Sequence, residues 1–219
     1  MSKTAAIIHT TPATIEPLKQ MCKTVMPEVA LSNYLDDSLL PQINREGAIT
    51  PDIRYRFFSL VQAAALSKPD AMLCACSSAG ELVEELQPFI PMPFLRIDEP
   101  MAQMAARSGG EVVVCATLPS TLNPTLSLIQ RTAQKLGGDI RLNSLLIKGA
   151  GELLTRGDIA GYDALLKEQF LKIAPTKDLI VLAQASMARA AEGLPEAYRQ
   201  KFLSSPSSGI LALADVIGH

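Results

Sequence analysis

The chain has no tryptophan, only 5% aromatic residues and just two histidines among 219 residues. It therefore lacks the stacking platforms on which single-stranded nucleic acids are held. Charge of either sign is also scarce. The 20 Lys and Arg against 22 Asp and Glu leave a formal net charge of −2, with no block of like charges. That excludes an electrostatic nucleic-acid surface. Long apolar runs are missing too. "MSKTAAIIHTTP" turns polar and meets Pro12 too soon for a signal h-region or a membrane span. The expectation is a cytoplasmic protein with neither membrane nor nucleic acid as partner. Its four cysteines, Cys22, Cys74, Cys76 and Cys115, are then reduced, so their even number implies no disulfide framework. Cys74-x-Cys76 lacks a second ligand pair at metal-binding spacing, and neither His9 nor His219 supplies one; no metal is expected.

What is present is enough apolar material, 48% of the chain, for one larger domain or two small ones. Short β-like runs alternate with helical patterns. "AAIIHT", "EVALSNYL", "AMLCAC", "EVVVCAT", "RLNSLLI" and "DLIVLAQ" read as strands. "TIEPLKQMCKTVM", "TPDIRYRFFSLVQAAALS", "SAGELVEELQ", "NPTLSLIQRTAQKLG" and "DIAGYDALLKEQFLKIA" read as helices. Thr50 is a plausible N-cap with Pro51 at the first helical position, and Ile53, Phe57, Leu60, Val61 and Ala64 share one face. Such alternation predicts α/β architecture with mainly parallel sheets.

The chain also resembles itself. Shifted by 107 residues, "IHTTP" (8–12) lies over "CATLP" (115–119). Shifted by 108, "DAMLCACSS" (70–78) lies over "DLIVLAQAS" (178–186), matching Asp70 with Asp178 and placing Gln184 over Cys76. Two pseudo-symmetric α/β halves with a cleft between them are expected. The boundary falls near "PFIPMPFLRIDEP", where prolines interrupt regular structure. Residues 1–97 with 208–219 then form the first half, and residues 98–207 the second.

Cys76 sits at the carboxyl end of an expected strand, before Ser77-Ser78-Ala79-Gly80 and a helix. In parallel α/β units that end meets the ligand, and a helix N-terminus favours a thiolate. The same residue could equally be a small buried one. Cys74, two residues deeper, and Cys115 read as core. Thr10 and Thr11 offer hydroxyls for a carboxylate, or Thr11 and Thr14 simply cap the next helix. Thr117, Ser120 and Thr121 carry the same two readings. His9 is a general acid/base candidate, but a structural role at a strand end is favoured. Gly149-x-Gly151 invites a dinucleotide reading. However, Leu154 replaces the third glycine and no acidic residue follows at the ribose distance. Gly157-Asp158 reads as a turn and N-cap.

Together, "HTTP", "CSSAG", "PFLRIDEPMAQMAA", "CATLPST" and "VLAQASMA" resemble the cofactor-independent aspartate/glutamate/hydantoin racemase superfamily, in order and spacing over nearly the whole chain. The resemblance implies two pseudo-symmetric α/β domains, no cofactor, a small carboxylate substrate, and Cys76 as catalytic thiolate. Thr10, Thr11, Ser77, Ser78, Thr117, Thr121, Gln184 and Ser186 are then substrate-binding. The family is often dimeric, so a homodimer is among the partners the resemblance implies. One departure stands out. "VLAQASMA" is similar to Val-Leu-Gly-Cys-Ala-Gly-Met-Ala, and the motif's cysteine falls on Gln184. A carboxamide cannot exchange a proton as a thiol does. The expectation is a one-thiol enzyme (racemase-like, decarboxylase or lyase), with a non-catalytic carboxylate-binding or regulatory protein as the alternative.

Overall fold

The structure, a computed structural model, describes residues 3–218; His219, considered above as a metal ligand, lies outside them. Strands and helices alternate as β1 (Thr4–His9), α1 (Ile15–Val25), β2 (Ala30–Leu35), α2 (Leu39–Glu46), α3 (Pro51–Leu66), β3 (Ala71–Cys74), α4 (Gly80–Leu86) and β4 (Phe94–Arg96). They continue as α5 (Glu99–Arg107), β5 (Gly110–Ala116), α6 (Pro119–Leu136), β6 (Ile140–Leu146), α7 (Ala150–Thr155), α8 (Ile159–Ile173) and β7 (Leu179–Leu182). The chain closes with α9 (Ala188–Glu192), α10 (Glu196–Arg199), β8 (Phe202–Ser204) and α11 (Ser205–Ile217). It divides into two units, one running to Pro100 and resuming at Pro206, the other Met101–Ser205. Among the described residues, no helix is long and apolar enough to cross a membrane.

Each unit carries a four-stranded, wholly parallel sheet, ordered β2-β1-β3-β4 in the first and β6-β5-β7-β8 in the second. The repeat is carried in the register itself: Ala5 pairs with Ala71, and Val112 with Leu179. The matched aspartates have one shared task. Asp70 accepts from the Thr4 N–H at 2.7 Å, and Asp178 from the Glu111 N–H at 2.9 Å. Each thus satisfies a backbone donor at the start of its unit's first strand, a group that would otherwise be unpaired.

Helices cover both faces of each sheet, which is why the central strands read as apolar runs rather than alternations. In the first unit, Ile53, Phe57 and Val61 of α3 pack on one face, and Leu18, Cys22, Ile210 and Leu213 of α1 and α11 on the other. In the second, Tyr162, Leu166 and Phe170 of α8 cover one face, and Ile129 of α6 with Met101 and Ala105 of α5 the other. Full burial of a side chain such as Phe57 contributes about 2 kcal/mol. Helix α3 begins as its sequence indicates: the Thr50 hydroxyl accepts from the Ile53 N–H at 3.4 Å, with Pro51 at the first position.

Four elements differ from expectation. "PFLRI" was read as interrupted by prolines, yet Phe94–Arg96 adds to β3 as an edge strand, and β8 does the same in the second unit. Three-residue edge strands leave too short a pattern to read. Helix α6 starts at Pro119, not at Asn123-Pro124, because Leu118 stays extended and its carbonyl receives the N–H groups of Thr121 and Leu122. Pro124 therefore lies inside a helix whose first turn is already closed. Strand β3 ends at Cys74, and Cys76 lies beyond it, still extended.

Candidate active site

In the first unit the chain leaves β3, the Ala75 N–H bonds to Ile8 O, and Cys76 becomes the cap of a single 3-10 turn, Ser77–Ala79, ahead of α4. Its backbone is extended, with φ −137° and ψ 110°. Cys76, Ser77 and Ser78 are all buried, as is Thr10 at the end of β1. The Thr10 hydroxyl has no hydrogen-bond partner in the resting arrangement, but it stands beside the Cys76 sulfur and would favour a thiolate there. Burial pushes the Cys76 thiol up, while the Thr10 hydroxyl and the N–H groups of Ala79 and Ser78 pull it back without prevailing. This reverses the sequence expectation of a lowered pKa: desolvation of the thiolate outweighs a helix N-terminus only two turns long. At neutral pH the thiol is protonated.

The neighbouring residues separate into two groups. Cys74 is core, its thiol donating to the Cys76 carbonyl at 3.7 Å and pushed well up by burial. The Thr11 hydroxyl accepts from the Ala13 N–H at 3.4 Å, so it caps its own turn. His9 is fully buried, Nδ1 lying 2.8 Å from Thr14 Oγ1 and Nε2 2.9 Å from Asn33 Oδ1. Burial lowers its pKa, and with both nitrogens engaged the ring has no site left for a ligand's proton. Beneath the turn lies a buried ion pair that sequence reading missed. Arg96 Nε and Nη2 donate to the two carboxylate oxygens of Asp98 at 2.7 and 2.9 Å, and Arg96 also meets Glu84. Burial opposes the charge, but Asp98 and Glu84 overcome it and hold Arg96 cationic. A β-carbon on Gly80 would collide with this guanidinium, so the glycine of "CSSAG" is required by a side chain 16 positions away.

In the second unit the backbone repeats the first. The Ala183 N–H bonds to Cys115 O, and Gln184 caps the 3-10 turn Ala185–Met187 at φ −132° and ψ 136°. The side-chain chemistry differs. Gln184 Oε1 accepts from the Thr117 N–H at 2.6 Å and from the Thr117 hydroxyl at 2.9 Å. Ser186 Oγ lies 2.8 Å from the hydroxyl of Tyr162, which is fully buried. Tyr162 was not picked out from sequence, because with Leu166 and Phe170 it reads as the apolar face of a helix. Only its buried hydroxyl, which must find a partner, gives the signal. Thr121 is buried in the first turn of α6. A cavity of about 420 Å³ opens beside Thr117 and Leu118 and is bordered by Gly149, Gly151 and Arg156. Here the glycines have local reasons unconnected with a dinucleotide: Gly149 has φ 81°, and a β-carbon on Gly151 would press on Leu118 at 3.2 Å. Asp158 caps α8, accepting from the Gly161 N–H at 2.9 Å.

A profile of the Asp/Glu/hydantoin racemase family matches residues 7–212. The chain belongs to that family. Solved structures agree at the level of fold. A glutamate racemase from Bacillus anthracis superposes with a TM-score of 0.76 at 15% identity, covering 99% of this chain and 82% of its own. An aspartate racemase from Picrophilus torridus gives 0.72 at 13% identity, with 99% and 94% covered. An arylmalonate decarboxylase gives 0.57 at 14% identity, with 99% and 93% covered. A search of curated proteins returned no match. In this chain, the strand-end turns at Cys76 and Gln184 share a backbone and differ in side-chain chemistry.

Proposed function

We propose that this racemase-family protein is a cofactor-independent enzyme acting at the α-carbon of a small carboxylate through one thiol, Cys76. The supporting observation is the asymmetry of the two turns. Cys76 keeps its thiol beside the unpartnered Thr10 hydroxyl and the N–H groups of Ser78 and Ala79, whereas a hydrogen-bonded carboxamide stands at Gln184. A carboxamide does not titrate in the useful range, so racemisation by two thiols is not available. The protonated resting state of Cys76 suits delivery of a proton. With a substituted malonate, loss of CO2 leaves an enediolate. Cys76 protonates its α-carbon, and the resulting thiolate rests against Thr10, Ser78 and Ala79 until solvent returns a proton. With an amino acid the thiol must ionise first; it then removes and returns the α-proton on a single face. Thr10, Ser77, Ser78, Thr117, Thr121, Gln184 and Ser186 are carried over from the family resemblance as substrate-binding residues, with Thr11 shaping its loop. The reading is of a cytoplasmic protein, with homodimerisation carried over from the family. The arylmalonate decarboxylase among the structures of like fold favours including malonates as substrates.

The test is incubation with amino acids, hydroxy acids and substituted malonates in deuterated water. Deuterium at the α-carbon, or turnover, is expected and should fall by about 10²–10⁴ in Cys76→Ala. Absence of any Cys76-dependent exchange or turnover across the panel would leave the second reading, a carboxylate-binding protein that keeps the fold. Gln184→Cys is expected to add exchange at the opposite face of a substrate the parent already exchanges. A folded variant that exchanges one face only would refute the assignment of Gln184 to the second thiol's place.

A further inference from the structure

Cys76 and Asp98 stand at matching places just beyond two paired strands. Strand β3 pairs with β4 so that Cys74 lies opposite Arg96, and the Ile97 N–H carries the ladder on to Cys74 O at 3.1 Å. Two residues further come Cys76 on one strand and Asp98 on the other. Strand parity puts both on one face of the sheet. Cys74 and Cys76 pack in the core beneath α3 and α4, whereas Ala75 and Ile97 pack with α1 and α11 on the opposite face. The Arg96 guanidinium lies against Gly80 at the start of α4, so Arg96 and its partner Asp98 share the thiol's face. The pair is also oriented. Asp98 is completely buried with both oxygens held by Arg96, and the rest of the guanidinium turns away to Glu84. The cationic end thus lies by Cys74 and Gly80, and the anionic end by Cys76.

The other charged or titratable groups packed around the thiol are engaged elsewhere. His9 on β1 turns to Thr14 and Asn33, and Arg54 and Arg56 on α3 turn to Glu85 and Asp36. Cys74 donates to the Cys76 carbonyl, Tyr34 lies on β2 beyond β1, Arg45 of α2 meets Glu46 at the surface, and Asp52 and Glu81 are exposed. Burial is the largest influence holding the Cys76 proton, and the Asp98 charge adds to it. The second unit has no such device. Ser204 pairs with Leu182 as Arg96 does with Cys74, Ser205-Pro206 follows, and Gln184 stands in the thiol's place. We infer that Asp98 is a positioning residue for Cys76: the buried pair turns its negative end to the thiol, keeps it loaded, and sets the site to deliver a proton to an α-carbon rather than remove one. It acts through the thiolate, whose charge it repels where solvent screens little. This rests on the one-thiol reading above and assigns the direction of its proton transfer.

The test is iodoacetamide labelling of Cys76 in the intact protein as a function of pH, read peptide by peptide by mass spectrometry. In Asp98→Asn the profile should move to lower pH. Labelling near neutral pH should be at least about threefold faster, with a limiting alkaline rate no higher than that of the wild type. A purely structural pair behaves differently: loosening the turn raises the rate at every pH and opens Cys74 as well. Arg96→Met combined with Asp98→Leu removes both charges and leaves neither unpaired, a replacement that buried ion pairs often tolerate. It should move the profile the same way but less far, and it decides the matter if Asp98→Asn does not fold. An unmoved profile in the folded variant, or a faster rate at every pH with Cys74 labelled, overturns the inference. Exchange of the α-proton of an amino acid needs the thiolate, so in Asp98→Asn it should gain about threefold near neutral pH. No gain overturns the assigned direction. If neither exchange nor turnover is seen with any acid, the one-thiol enzyme reading falls, and the labelling profile still decides whether Asp98 holds the proton on Cys76.

Discussion

The turn after β3 and the turn after β7 have nearly the same backbone, with Cys76 at φ −137° and Gln184 at φ −132° capping a 3-10 turn in each. Their polar groups are used in opposite ways. In the first unit Thr10 keeps an unused hydroxyl beside a thiol. In the second, Thr117 is bonded to Gln184 through both its N–H and its hydroxyl. One turn keeps polar capacity open and the other closes it internally. The repeat has kept the frame that places a side chain at the strand end, while the chemistry at that place has diverged.

The largest expected effect comes from the support beneath the turns. Gly80 and Ala188 hold matching places, but only Gly80 lies on the buried Arg96–Asp98 pair. Gly80→Ala should cost about 3 kcal/mol in urea unfolding, since either the pair or the turn must move. Ala188→Gly should cost only about 0.5–1 kcal/mol. Similar losses in the two variants would show that the ion pair does not distinguish the units.

The threonines should then respond with opposite signs. Thr117→Val removes a donor to Gln184 and is expected to destabilise by about 1–2 kcal/mol. Thr10→Val removes a buried hydroxyl without a partner, so it should be neutral or stabilise by up to about 1 kcal/mol. It should also lift the pH at which iodoacetamide labels Cys76, because the thiolate loses a donor. Destabilisation by both would mean that the Thr10 hydroxyl is satisfied after all.

The smallest contrast is alkaline. Burial pushes Cys22 in the first unit up to about 11 and Cys115 in the second up to about 12, from an ordinary 9.0. The folded chain holds these protons more tightly than the unfolded chain. Their stabilisation is therefore complete below pH 9 and is lost as pH rises, through 11 for Cys22 and through 12 for Cys115. Cys22→Ala should flatten the fall in unfolding free energy, measured with urea, between about pH 9 and 11 by about 1 kcal/mol per pH unit. Cys115→Ala should flatten it over a wider range. A wild-type midpoint that is flat across this range would mean neither thiol is held protonated.

Much of the fold could be read from the chain because its signals are local or periodic. The six longer strands, the capped start of α3 and the offsets near Asp70 and Asp178 all lie in neighbouring residues or in a repeat. The edge strands Phe94–Arg96 and Phe202–Ser204 escaped because three residues carry no period. In the candidate site, Cys76 and Gln184 could be named from their place after a strand and from the motif. Arg96 under Gly80 and Tyr162 behind Ser186 could not, since each is joined to its partner only by the folding of distant segments.

By itself, then, the sequence determined that two parallel α/β units exist and that one has a thiol where the other has a carboxamide. Apolar periodicity and residue identity suffice for both. Only the tertiary structure decided the state of those groups. Burial sets the Cys76 proton against the pull of the turn's N–H groups, while Thr117 takes up the Gln184 oxygen and Tyr162 of α8 the Ser186 hydroxyl. Desolvation and hydrogen-bond direction depend on what surrounds an atom, and for these residues the surroundings come from parts of the chain far away in sequence.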